Sequence, residues 1–254
     1  MSLNIEPHVW ATLFLVLSAL VLGIQAILRG RRGPRPAIRP LPAFQDLRDE
    51  IKRAAESGGI IHIALGNGGL NEEDAVTSLA GLQLVEALAD AAVAYNVPPI
   101  ITVGDPTLLP LAQDTLRRAY ERRDIADLYK PDRVQFVAPS PVAYAAGAAN
   151  VVTAAGVTAS VIIGAFGAEV SLITDAGAQR NLPLFAAVAA PRAIGALYPA
   201  TDRLAVGEEL YAAGAQMTEK RRYLVSLVAQ DILRVFLILF ILGAAALAFW
   251  GILK

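Results

Sequence analysis

Two uncharged apolar runs bracket the chain. Val9 to Leu28 is 20 residues long with Gln25 as its one strongly polar side chain, and Val235 to Leu253 is 19 residues with only Lys254 beyond it. An α-helix rises about 1.5 Å per residue, so each run reaches about 30 Å, the thickness of a bilayer's hydrocarbon core. The pattern predicts one transmembrane helix at each end. A cleaved signal peptide would carry positive charge ahead of its apolar run, whereas here Glu6 and His8 precede it and arginines follow. No glycine or proline occurs from Thr218 through Leu242, which predicts a last helix that starts ahead of the membrane and runs into it.

Between these runs, helical periods alternate with short apolar stretches. Phe44 to Ser57 has helical spacing and stops at Gly58-Gly59; Ile60 to Leu65 reads as a strand that ends in Gly66-Asn67-Gly68-Gly69. Asn71 is expected to cap a helix that opens with Glu72, Glu73 and Asp74 and runs to about Asn96. Ile100 to Val103, Val134 to Ala138, Val161 to Gly164 and Leu184 to Ala189 are the next strands, with helices through Arg123 and near 142–156, 168–180 and 204–217. Strands followed by helices in this way imply right-handed crossovers and a parallel sheet covered on both faces. The expected fold is α/β, a Rossmann-like three-layer domain with about five mostly parallel strands and one transmembrane helix at each end. Its parts are spans at 9–28 and 235–253, a basic proline-rich linker at 29–43, the α/β domain at 44–219 and a basic juxtamembrane helix at 220–234.

Charge orients this arrangement. The chain is 55% hydrophobic with a net charge of only −1, yet residues 44–219 hold 12 Lys/Arg against 21 Asp/Glu. Residues 29–40 hold five arginines and no acid, and Lys220, Arg221, Arg222 and Arg234 precede the last apolar run. Basic residues stay on the cytoplasmic side of a membrane. The prediction is therefore a multi-pass protein of the inner (cytoplasmic) membrane, with its central domain in the cytoplasm and both termini outside. Trp10 and Trp250 then fall at the outer interface, where indoles prefer to sit. The basic flanks suit anionic lipid headgroups, and the acidic domain excludes nucleic acid as its partner.

The inventory of reactive residues is short. There is no cysteine, and the only histidines are His8 and His62, which removes thiolate chemistry and most metal and Ser-His-Asp sites. No metal, cofactor or catalytic residue is predicted. His62 lies in an apolar strand and reads as a packed core residue. Ser140, between Pro139 and Pro141, has no G-x-S-x-G context. Ligands of parallel sheets bind beyond the carboxyl ends of the strands. The candidates there are Gly66, Gly68, Gly69, Asp105, Gly164, Gly167 and Arg192, a set that could form an anion or nucleotide pocket. The dinucleotide fingerprint itself is missing, because Gly66-x-Gly68-Gly69 leads into three acids and no P-loop occurs.

The segments Leu41-Pro-Ala-Phe-Gln-Asp-Leu-Arg-Asp-Glu and Ile63-Ala-Leu-Gly-Asn-Gly-Gly-Leu, between terminal apolar runs, carry a family resemblance. The chain resembles an uncharacterised family of bacterial membrane proteins with a domain of unknown function. That likeness implies no activity and no site residue. Function is then weighed from the residues alone. Small-residue helices such as Tyr144-Ala-Ala-Gly-Ala-Ala and Tyr211-Ala-Ala-Gly-Ala place first a membrane-anchored assembly protein, forming a homo-oligomer or docking onto a larger membrane complex. A tethered sensor for a nucleotide or other anion comes second, and an enzyme or transporter ranks below both.

Overall fold

Six parallel strands form a single sheet in the order β3-β2-β1-β4-β5-β6. They are β1 (Ile60–Gly66), β2 (Pro99–Val103), β3 (Val134–Phe136), β4 (Val157–Ala165), β5 (Leu184–Val188) and β6 (Leu204–Val206). The helices are α1 (Leu47–Ser57), α2 (Ala75–Ala94), α3 (Leu108–Glu121), α4 (Pro141–Thr153), α5 (Ser171–Gln179), α6 (Pro191–Leu197) and α7 (Glu208–Thr218). This computed structural model describes residues 16, 20, 23, 24, 41, 44, 46–70, 73–218 and 231–242. The chain divides into Arg39–Thr218, which contains the sheet, and a second unit made of Met1–Ile38 and Glu219–Lys254.

Alternation along the strands sets the layers. Ile61, Ile63 and Leu65 of β1, with Val161 and Ile163 of β4 and Phe185 of β5, point to one face, where α1, α2, α3 and α7 cover them. Ala64, Ile162, Ala186 and Val188 point to the other, beneath α4, α5 and α6. The near-continuous burial of β1, β4 and β5 follows from this two-sided cover. Helices change face after β3, so the chain winds outward from the centre in both directions.

Helix α2 has the length and apolarity of a membrane span, the one such helix among the described residues. Its apolar character has another cause: it lies over the middle of the sheet with α3 and α7 at its sides. Gly81 lets it approach closely, since a Cβ there would sit 2.9 Å from Leu65 Cδ1.

Entry to and exit from the sheet domain are neighbours. The Arg48 guanidinium at the start of α1 donates to the Met217 carbonyl at 3.4 Å, and Asp46 lies 3.5 Å from Arg203, just ahead of β6. From there α1 runs to Gly58-Gly59 and the start of β1. Both ends of the domain therefore meet the amino-terminal edge of the sheet. In the second unit, residues 231–242 are helical, with Val235, Ile238, Leu239 and Ile241 all more than half exposed.

Several expectations change. The sheet has six strands, because Leu204–Val206, expected to open a helix, forms β6, and α7 starts only at Glu208. Helix α6 was not expected; Pro191 opens it and seven residues are too few to show a period. Strand β4 begins four residues early, at Val157. Helix α2 begins at Ala75, so Glu73 and Asp74 precede it instead of forming its first turn. Asn71, Glu72, the 29–40 linker, 220–230 and most of both expected spans lie outside the described residues.

Candidate functional site

The strand order reverses direction between β1 and β4. Strand β1 feeds α2 on one face while β4 feeds α5 on the other, so their turns diverge and leave a crevice at the carboxyl edge. A cleft of about 440 Å³ opens there, between the turns after β1, β4 and β5 and the start of α4. Pro141, Ala165, Phe166, Ala190 and Pro191 form its apolar walls, and Asn67, Asp74, Glu169 and Arg192 supply its polar groups. A mostly apolar cavity with a few convergent polar groups has the general form of a small-molecule site. It lies at the opposite edge of the sheet from the points where the chain enters and leaves the domain.

The glycine turn after β1 is built for close packing. Gly66 has φ +82°, and a Cβ on it would meet the Ala165 carbonyl oxygen at 2.2 Å. Its N–H donates to the Tyr144 hydroxyl at 3.1 Å, Asn67 N–H to the Ala165 carbonyl at 3.1 Å, and Gly104 N–H to the Gly66 carbonyl at 2.8 Å. A Cβ at Gly68 would sit 2.6 Å from Ala165 Cβ and 2.9 Å from Asp74 Cβ. These N–H groups at Gly66 and Asn67 are already satisfied within the fold, so they do not form an anion cradle. Gly164, at φ +106°, closes against the Leu65 carbonyl in the same manner.

Asp105 is also committed locally. Its carboxylate accepts the Thr107 N–H at 2.8 Å and the Thr107 hydroxyl, and Thr107 Oγ1 accepts the Leu70 N–H at 3.1 Å. The chain Leu70–Thr107–Asp105 ties the β1 turn to the β2 turn. Of the sequence candidates, Gly167 and Arg192 line the cleft. Gly66, Gly68, Gly69, Gly164 and Asp105 shape the turns behind it.

A polar ladder crosses the sheet below the cleft. His62 Nδ1 is 3.0 Å from Ser160 Oγ on β4, and Nε2 is 3.0 Å from Thr102 Oγ1 on β2. Tyr144, fully buried on α4, donates to the Thr102 carbonyl at 3.1 Å while accepting from Gly66. Burial drives the His62 imidazole down to about 3, so it stays neutral, with one ring nitrogen donating and the other accepting. Burial pushes the Tyr144 phenol up to about 12. His62 is a packed and satisfied core histidine, out of reach of the cleft as an acid or base.

Glu169 enters the cleft from the 3-10 turn Ala168–Val170, its Oε1 accepting the Gly167 N–H at 2.7 Å. Two carboxylates and one guanidinium thus line the cleft. A carboxylate about 6 Å from a unit anion, at an effective dielectric near 20, repels it by about 3 kcal/mol. The cleft does not have the charge of a phosphate site. Asn67 and Phe166 fall inside the two glycine turns that sequence reasoning placed at strand ends, whereas Asp74 was read there as a helix-capping acid and Glu169, two residues beyond Gly167, was missed.

A family model described as a domain of unknown function (DUF6754) matches residues 3–253. The chain belongs to this family. The match takes in both terminal apolar runs as well as the sheet domain. No curated protein and no solved structure matches the chain.

Proposed function

We propose that this DUF6754 chain is a two-span membrane protein whose central Rossmann-like α/β domain, on the cytoplasmic side, binds a small polar ligand in the cleft beyond β1, β4 and β5. The observation that carries this reading is the position of the cleft at the point where the strand order reverses, the place where open parallel sheets bind ligands. Membrane attachment is supported by the two uncharged terminal runs, by their arginine-rich flanks and by the exposed apolar side chains of the 231–242 helix.

Assembly, the first expectation from sequence, loses much of its motive. Tyr144, Ala145 and Ala148 are buried against the sheet, and Gly147 packs on Val137. Gly214 of the second small-residue segment lies against Gln83 and Leu84 of α2. These small residues already serve packing within the chain.

The test is a thermal-shift screen of the full-length protein in lipid nanodiscs against nucleotides, phosphorylated metabolites and amino acids. A stabilising compound is expected whose effect disappears in Ala190→Trp, which fills the cleft, and in Arg192→Ala. A shift that survives both substitutions, or no shift across the whole panel, contradicts the reading.

A further inference from the structure

The charges in the cleft specify more than its location. Asp74, Glu169 and Arg192 line one cavity, and the side chains of Asp74 and Arg192 make no hydrogen bond or ion pair among the described residues. Glu169 is held in place through one carboxylate oxygen by the Gly167 N–H. Asn67, with both a donor and an acceptor, sits at the foot of the β1 turn. A lone anion would satisfy Arg192 and be opposed by two carboxylates; a lone cation would meet the converse opposition.

We infer that the ligand carries a cationic and an anionic group together, in the manner of a free amino acid. This rests on the cleft being the binding site, as proposed above. The ammonium of such a ligand brings three N–H donors, enough for the Asp74 and Glu169 carboxylates and the Asn67 side-chain oxygen. Its carboxylate matches the planar fork of Arg192, which presents paired N–H groups to two oxygens at once. The apolar walls formed by Phe166, Pro141 and Pro191 accommodate the rest of the molecule. Phosphate esters, with a charge near −2 and no cation, are excluded by the same arrangement.

Isothermal titration of the full-length protein in nanodiscs tests the idea, with L-glutamate, L-glutamine, L-lysine and L-leucine as separate probes and orthophosphate and ATP as contrasts. At least one amino acid is expected to bind, and orthophosphate and ATP are expected not to. Affinity should fall by roughly tenfold or more in Asp74→Asn and in Arg192→Ala. The N-acetyl and methyl-ester forms of the bound amino acid should lose affinity as well, since each removes one of the two charges. In the double variant Asp74→Asn, Glu169→Gln, orthophosphate should gain binding. If wild-type protein instead binds orthophosphate or ATP, and Arg192→Ala removes that binding, the two-charge ligand is wrong while the cleft stands as the site. If amino acids bind with affinity unchanged in Ala190→Trp, both ideas are overturned. Absence of binding by every amino acid overturns the inference.

Discussion

The Tyr144 hydroxyl accepts the Gly66 N–H at 3.1 Å, joining the first turn of the sheet to a helix whose start also lines the cleft. The same hydroxyl donates to the Thr102 carbonyl at 3.1 Å. One buried oxygen therefore holds the ends of β1 and β2 against α4. Tyr144→Phe leaves the Gly66 N–H and the Thr102 carbonyl without that partner in a dry interior. A loss of about 1–3 kcal/mol is expected, read from denaturant unfolding of the full-length protein in detergent. Unchanged stability would mean that the bond contributes nothing.

The phenol should also resist ionisation. An unfolded tyrosine ionises near 10, whereas Tyr144 in the fold does so only near 12. The folded value is the higher one, so the contribution of this group is complete below pH 10 and is lost as pH rises from 10 toward 12. Burial also raises Tyr120 and Tyr129, so ultraviolet titration of the folded protein should show fewer tyrosines ionising by pH 11 than after unfolding, and Tyr144→Phe should remove part of that difference.

His62 gives a pH dependence at the acid end. In the unfolded chain its imidazole takes a proton near 6.5, while in the fold it stays neutral down to about 3. Between those values the unfolded state binds more protons, so stability falls as pH drops through the window, by about 1.4 kcal/mol per pH unit from this group. Above pH 6.5 the contribution is flat. His62→Gln should remove that part of the slope between pH 7 and 4, and the wild-type ring resonances should hold still over the same range. A ring that titrates near 6 would contradict the buried ladder.

Two glycines should respond in opposite directions to alanine. Gly66→Ala puts a Cβ 2.2 Å from the Ala165 oxygen at φ +82°, and a loss of about 3 kcal/mol or more is expected. Gly195, inside α6, has open space around it, so Gly195→Ala should gain about 0.5–1 kcal/mol. Melting temperatures of the two variants, measured side by side, check both signs.

Topology is testable because the chain lacks cysteine. Single cysteines at Ser2 and at Gly195 can be offered to a membrane-impermeant maleimide on intact cells. Labelling is expected at position 2 and not at 195 until the cells are broken. Labelling at 195 in intact cells would invert the proposed orientation.

Much of the fold was legible because burial on both sides of a parallel strand leaves continuous apolar runs. Ile60 to Leu65 and Leu184 to Val188 could hardly read otherwise. Strand β6 was not legible: Leu204-Ala205-Val206 is too short for any period and sits directly ahead of a true helix. Strand β4 began earlier than expected because Thr158, Ala159 and Ser160 are weak apolar signals, yet their burial comes from the strands on either side. At the candidate site, Gly167 and Arg192 could be found from strand ends alone. Asp74 and Glu169 could not, since an acid beside a helix start reads as a cap until the fold brings it into the same cleft as an arginine.

Native mass spectrometry of the full-length protein, released gently from detergent in buffer containing amino acids and nucleotides, tests the cleft most directly. The wild type is expected to carry one small non-lipid molecule per chain, and Ala190→Trp to carry none. A bare wild-type chain under those conditions, or equal occupancy in the filled variant, would contradict the assignment of the cleft as a binding site.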